Sequence, residues 1–241
     1  MTKLPEMKVA LKHHDRFRDW IYDHLKIGIT SDQSLFSWIL LKGLTAGFNT
    51  YKTIGIVLPE QYYEAGNILL RNLWECSLTL HFIERDPENR SGAFVEYTIV
   101  EFLNLLPPEH RAEFEKIAEP RLEKYRLRAK PGRIKRKLMR NWSGKDVAQM
   151  AQELGPGWIK EYRLLYRLGS QSAHAAPGAL LFTAVFDGVE GSASAKKEEQ
   201  RTATVALSSI LTMRTLCRLF WKHTKLPDGD VLESSDGVWK I

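Results

Sequence analysis

Residues 35–58, LFSWILLKGLTAGFNTYKTIGIVL, decide the fold. The run is apolar on most faces, is too long for a strand, and meets Pro59 at its end. It predicts a helix over about Gln33–Val57, entered through Ser31 or Asp32 as a cap. Gly43, Gly47 and Gly55 lie inside it. Glycine costs about 1 kcal/mol relative to alanine in a helix, so close approach of a neighbouring helix is the expected reason for keeping them. The next stretch, EQYYEAGNILLRNLWECSLTLHFIER (Glu60–Arg85), has Leu69, Leu73, Leu80 and Ile83 at helical spacing. Two long helices joined by a short turn predict an antiparallel hairpin.

Outward from this pair the chain keeps the same character. A first helix is predicted over Pro5–Ile27, with His13-His14 as a surface pair. Asp86-Pro87 opens a further helix to about Leu106, and another covers Glu109–Leu127. Gly155-Pro-Gly157 marks a turn, and a helix restarts near Trp158, with Leu164, Leu165 and Leu168 as its core face. Asp187–Ala195 is expected to be a Gly/Ser-rich turn before a last helix over Lys196–Lys225. Strand-like alternation is nearly absent. The expected fold is all-α, a helical bundle built from antiparallel hairpins. The expected organisation is one domain over residues 1–225 and a C-terminal extension over 226–241.

The chain has 241 residues, 44% of them hydrophobic, enough for a sizeable core. Cys76 and Cys217 are its only cysteines, both in apolar helical patterns. A disulfide framework and a four-thiolate metal site are therefore not expected, and a cytoplasmic location fits. No secretory signal is expected. No apolar run is expected to span a membrane, Gly178–Phe186 being the closest. The net charge of +6 is concentrated: Arg121–Arg140 holds ten Lys or Arg against Glu123 alone. Within it the segment 128–143 reads as a basic loop. Arg133, Lys135, Arg136, Lys137 and Arg140 can meet phosphates, and Trp142 can stack on a base, so RNA is a candidate partner. The same residues also suit a solvated loop with Trp142 as a hydrophobic pin.

The candidate catalytic site lies in EYRLLYRLGSQSAHAAPG (Glu161–Gly178). If a helix ends between Arg167 and His174, both side chains can converge at its C-terminal edge. A guanidinium holds a phosphate with a fork of donors, and a neutral imidazole moves a proton. Together they suffice for metal-independent RNA cleavage, in which the 2′-hydroxyl is the nucleophile. The competing reading makes His174 a capping or packing residue. Arg71 and Glu75, at i and i+4 on an apolar helix, are expected to form a structural ion pair. No dinucleotide, P-loop, nucleophile-elbow or HExxH motif occurs, and no metal or cofactor is expected.

Three passages carry a family resemblance: Arg71–Tyr97, Arg140–Gly155 and Tyr162–Pro177. Together they resemble a bacterial family of all-helical proteins, the one labelled domain of unknown function 5677, over roughly Thr45–Phe186. The resemblance implies a helical fold without an assigned activity. A more distant resemblance is to HEPN domains, helical and often dimeric, many of them RNases in toxin–antitoxin and antiviral systems. Their motif is an Arg, four to six residues, then a His, which Arg167 and His174 match at the upper limit. Leu168 departs from it, because these nucleases usually carry a polar residue there. By this resemblance His174 is the acid–base group and Arg167 steadies the phosphate, in a composite site of a homo-oligomer active in phage defence or as a toxin. The alternative is a non-catalytic helical module that binds a protein partner.

Overall fold

The computed structural model describes residues 6–24, 34–60, 62–126, 138–139, 141–166 and 191–224, with the backbone alone for 191–195 and 224. These residues form helices α1 (Met7–His24), α2 (Leu35–Val57), α3 (Tyr63–Glu84), α4 (Pro87–Glu96), α5 (Thr98–Leu105), α6 (Pro108–Leu122), α7 (Val147–Leu154), α8 (Pro156–Glu161) and α9 (Gly191–Thr224). A 3₁₀ turn, Glu123–Tyr125, follows α6, and a π-helical turn, Tyr162–Tyr166, continues α8. Among the described residues no strand occurs, apart from an isolated bridge between Arg126 and Leu138. The protein is all-α.

The main core lies between α1, α2, α3 and α9. Leu58 at the end of α2 packs where Gly66 begins α3. The ends of α1, α3 and α9 meet the start of α2. Trp20 packs on Trp221, and Phe36 packs edge-on to His223, which also bonds Glu84. Hence α1, α3 and α9 run one way and α2 runs against them. The α2 glycines have the packing role expected of them. A Cβ on Gly47 would lie 2.5 Å from Leu216, and one on Gly55 would lie 2.8 Å from the His14 ring.

His14 corrects a sequence expectation. It is not on the surface but buried, stacked on Tyr51 with ring centroids 3.9 Å apart. Its neighbour on the α1 face, Phe17, meets Tyr51 edge-on, and the Tyr51 hydroxyl donates to the His14 carbonyl at 2.9 Å. The adjacent polar residues misled because the helical turn points His14 inward at i, i+3 from Phe17. Burial lowers its pKa to about 3.

Boundaries also differ. The cap of α2 is Ser34, whose hydroxyl accepts from Ser37 N. The helix expected over Pro87–Leu106 breaks at Tyr97. There the Tyr97 hydroxyl donates to Met139 O at 2.8 Å and its ring packs edge-on to Tyr125. Thr98 bonds back to Val95 O, an alternative to the helical ladder. Gly191–Ala195, expected as a turn, is helical and extends α9. Contrary to expectation, α9 is long and apolar enough to cross a membrane, by length and composition alone. Most of that stretch is buried inside the bundle, which is sufficient reason for its apolarity.

Two smaller cores flank the main one. Trp74, Leu78 and Phe82 of α3, spaced by four, meet Met150, Ala151 and Leu154 of α7. Helix α7 enters through a capping box in which Asp146 and Gln149 bond each other's backbone N–H groups. Tyr97, Val100, Leu103, Ala118, Leu122 and Tyr125 form the third core, around α5 and α6.

Candidate functional site

The outer face of α3 carries the polar groups that the main core does not use. Arg71, Trp74 and Glu75 lie on it, facing α8 and the π-turn. Trp158, Tyr162 and Tyr166 recur every four residues there, and each ring lies within 5.8–6.4 Å of the Trp74 ring. A π-turn carries an extra residue per turn, and such turns recur at functional sites. The extra residue also shifts which side chains of the turn face inward. Leu164, expected in the core, is more than half exposed, whereas Leu165 packs partly inside.

Arg71 donates from Nη2 to the Tyr166 hydroxyl at 3.1 Å, and its guanidinium lies 4.5 Å from the centroid of that ring. The expected pair with Glu75 is present but loose, at 4.0 Å between Nε and Oε2. Arg71 Nε is buried without a hydrogen-bond partner. Burial raises the Glu75 pKa, and nearby Arg71 opposes the rise. The principal partner of Arg71 is thus a tyrosine 95 residues away rather than its helical neighbour.

Beside this pair, Trp74, Ser77, Trp158, Glu161, Leu211 and Thr212 help to line a cavity of about 200 Å³. Glu161 accepts from Trp74 Nε1 at 2.8 Å. Thr212 and Thr215 each donate to a carbonyl of their own helix. Ser77 does not: its hydroxyl is buried and has no partner. His81 bonds Ser77 O through Nδ1 at 2.8 Å, and its ring lies 4.9 Å from Trp158. Burial lowers the His81 pKa, which favours the neutral ring.

Of the sequence-predicted site residues, Arg71 and Glu75 share this face. Trp142 stands elsewhere, packed edge-on to Phe82 and Phe94 and touching all three cores. Arg167, His174, Arg133, Lys135, Arg136, Lys137 and Arg140 lie outside the described residues. At the base of the basic segment, charge is matched by acids from neighbouring turns. Lys124 pairs with Glu96, and Arg126 pairs with Glu119 and Glu123. Among the described residues no group of metal-binding side chains comes together. Sequence reasoning missed Trp74, Ser77, Trp158, Glu161 and Tyr166. The available signal was the matching four-residue spacing of Trp74–Leu78–Phe82 and Trp158–Tyr162–Tyr166, which marks two faces able to meet.

No curated protein and no solved structure matches the chain. A family model matches residues 37–190, a span that runs from α2 through this face to Glu190. By that match the chain belongs to DUF5677, a family of unknown function.

Proposed function

We propose that the protein is a HEPN-like RNA-binding protein or metal-independent endoribonuclease, with Arg167 and His174 as its catalytic residues. The observation that carries this reading is the seat of Arg71 on Tyr166, the residue before Arg167. It puts a guanidinium beside the entry to the Arg–His segment, where a polyanion needs compensating charge. In the proposed reaction the 2′-oxygen attacks phosphorus and the bond to the 5′-oxygen breaks, leaving a cyclic phosphate. His174 takes the proton from the 2′-hydroxyl and returns it to the leaving 5′-oxygen. Arg167 steadies the charge on the phosphate. Arg133, Lys135, Arg136, Lys137 and Arg140 supply the salt-dependent hold on the RNA backbone.

The test is purified protein with labelled RNA in EDTA, beside His174→Ala and Arg167→Ala. The expected outcome is cleavage by the wild type and a loss of at least about 100-fold in each variant, the scale of a lost acid–base group. Cleavage that persists in both variants overturns the site.

A second reading, a non-catalytic module that binds a protein partner, has its own support. Phe102 and Leu105 on α5 are exposed, and with Phe114 of α6 they line a groove of about 760 Å³. Exposed apolar residues gathered in one place are what a partner surface offers. Absence of cleavage by the wild type across diverse RNAs favours this reading.

A further inference from the structure

We propose that the cavity between α3, α8 and α9 binds one unpaired guanine base. This rests on the RNA-binding reading above and adds a specificity to it. At about 200 Å³ the cavity is smaller than the ~300–1,000 Å³ of sites for drug-sized ligands and suits one or two fused rings. Trp158, partly exposed, stands in its wall beside the buried Trp74, with ring centroids 6.1 Å apart and planes at 52°. An indole face attracts any base, so Trp158 gives affinity without sequence preference.

The preference comes from Glu161 and Ser77. One oxygen of Glu161 already accepts from Trp74 Nε1, which fixes the carboxylate at the cavity wall. A carboxylate accepts from more than one donor at once, so it retains capacity for a fork of N–H groups. Guanine alone offers a ring N–H next to an exocyclic amine on its Watson–Crick edge. Adenine and cytosine set a ring acceptor beside their amine, and uracil sets its N–H between two carbonyls; in each case a lone pair faces the carboxylate. The second observation is the Ser77 hydroxyl, only 1% exposed, lining the cavity and unpartnered. Leaving a buried hydroxyl unpaired is costly, and a base carbonyl or ring nitrogen relieves it.

The experiment is calorimetric titration of the full chain with GMP, AMP, CMP and UMP, repeated on Glu161→Gln and Ser77→Val. Glutamine keeps a carbonyl for Trp74 Nε1 but turns an amide N–H₂ toward the guanine donors. The expected result is GMP binding at least tenfold tighter than the other nucleotides. Glu161→Gln then loses at least tenfold for GMP with an unchanged melting temperature, and Ser77→Val loses a smaller factor. Equal affinity for all four nucleotides, or GMP binding unchanged in Glu161→Gln, overturns the proposal. So does tighter Glu161-dependent binding of agmatine, a small guanidinium compound, which would make the cavity an organic-cation site. Guanine-selective binding through Glu161 with no cleavage of any RNA would instead remove the nuclease reading and leave the cavity assignment standing.

Discussion

The two faces of α3 are built on different rules. Toward α2 and the main core the helix presents Leu70, Leu73, Leu80 and Ile83, which are all buried there. Leu80 lies directly over Gly43, and Leu73 packs beside Gly47. Toward α7, α8 and the π-turn the same helix presents Trp74, with Arg71 and Glu75 beside it and a cavity at Ser77. Interiors are normally close-packed, and mismatches are felt at the scale of one methylene. One face follows that rule, and the other keeps a void, an unpaired hydroxyl and a loosely held ion pair. A helix can therefore fix the fold with one side while the other side is left for chemistry.

The largest test of this contrast compares adjacent buried residues. Leu73→Ala removes a main-core side chain and is expected to cost about 2–5 kcal/mol. Trp74→Ala is expected to cost about 3–5 kcal/mol from its larger side chain. Hydrogen exchange separates their reach. Leu73→Ala should weaken protection throughout α2 and α9, and Trp74→Ala should open α7 and α8 while α2 stays protected. Uniform loss in both variants would show that the faces form a single cooperative unit.

The next largest effect concerns pH. His14 belongs to the close-packed core, and its folded pKa, about 3, lies below the ordinary histidine value of 6.5. Between those values the unfolded chain binds the proton and the folded chain does not. Stability from this group is therefore present above about pH 6.5 and is lost as pH falls toward 3, at up to about 1.4 kcal/mol per pH unit. His14→Phe keeps a planar ring and removes the proton site. Urea titrations from about pH 7 down to about pH 4, inside that window, should show a shallower acid decline for the variant. Parallel declines would remove His14 from the account. His81, on the other face, is shifted in the same direction.

The smallest effect distinguishes two buried serines. Ser209 bonds Ala206 O at 2.7 Å, so Ser209→Ala should cost about 1 kcal/mol. Ser77 has no such partner, and Ser77→Ala should leave stability within about 0.5 kcal/mol of wild type or raise it. Equal losses in thermal melts would mean that Ser77 is satisfied in solution.

The helices were legible because their apolar spacing is a local property, and the turn after α2 followed from Pro59. The break at Tyr97 was not, because it depends on Met139, which is distant in sequence. The π-turn was hidden for a related reason: Tyr162–Tyr166 reads as an ordinary helical stripe until Trp74 meets it. At the site, the i, i+4 spacing found Arg71 and Glu75 together. It could not find Tyr166, since no periodicity connects two elements that are joined by folding alone. His14 shows the converse, a polar pair whose exposure depended on which way one helical turn faced.

The residues that flank segment 127–137 are held side by side. Arg126 bridges Leu138, and Met139 N donates to Tyr125 O at 2.7 Å. The six Lys and Arg of that segment, with no acid among them, equal the whole formal charge of +6. The remainder of the chain is thus formally neutral, and the basic isoelectric point belongs to one segment. Near-neutral proteins tend to associate and precipitate. The same residues that would draw in a polyanion therefore also set the colloidal behaviour of the molecule, and excising them would alter its solubility even where the bundle is untouched.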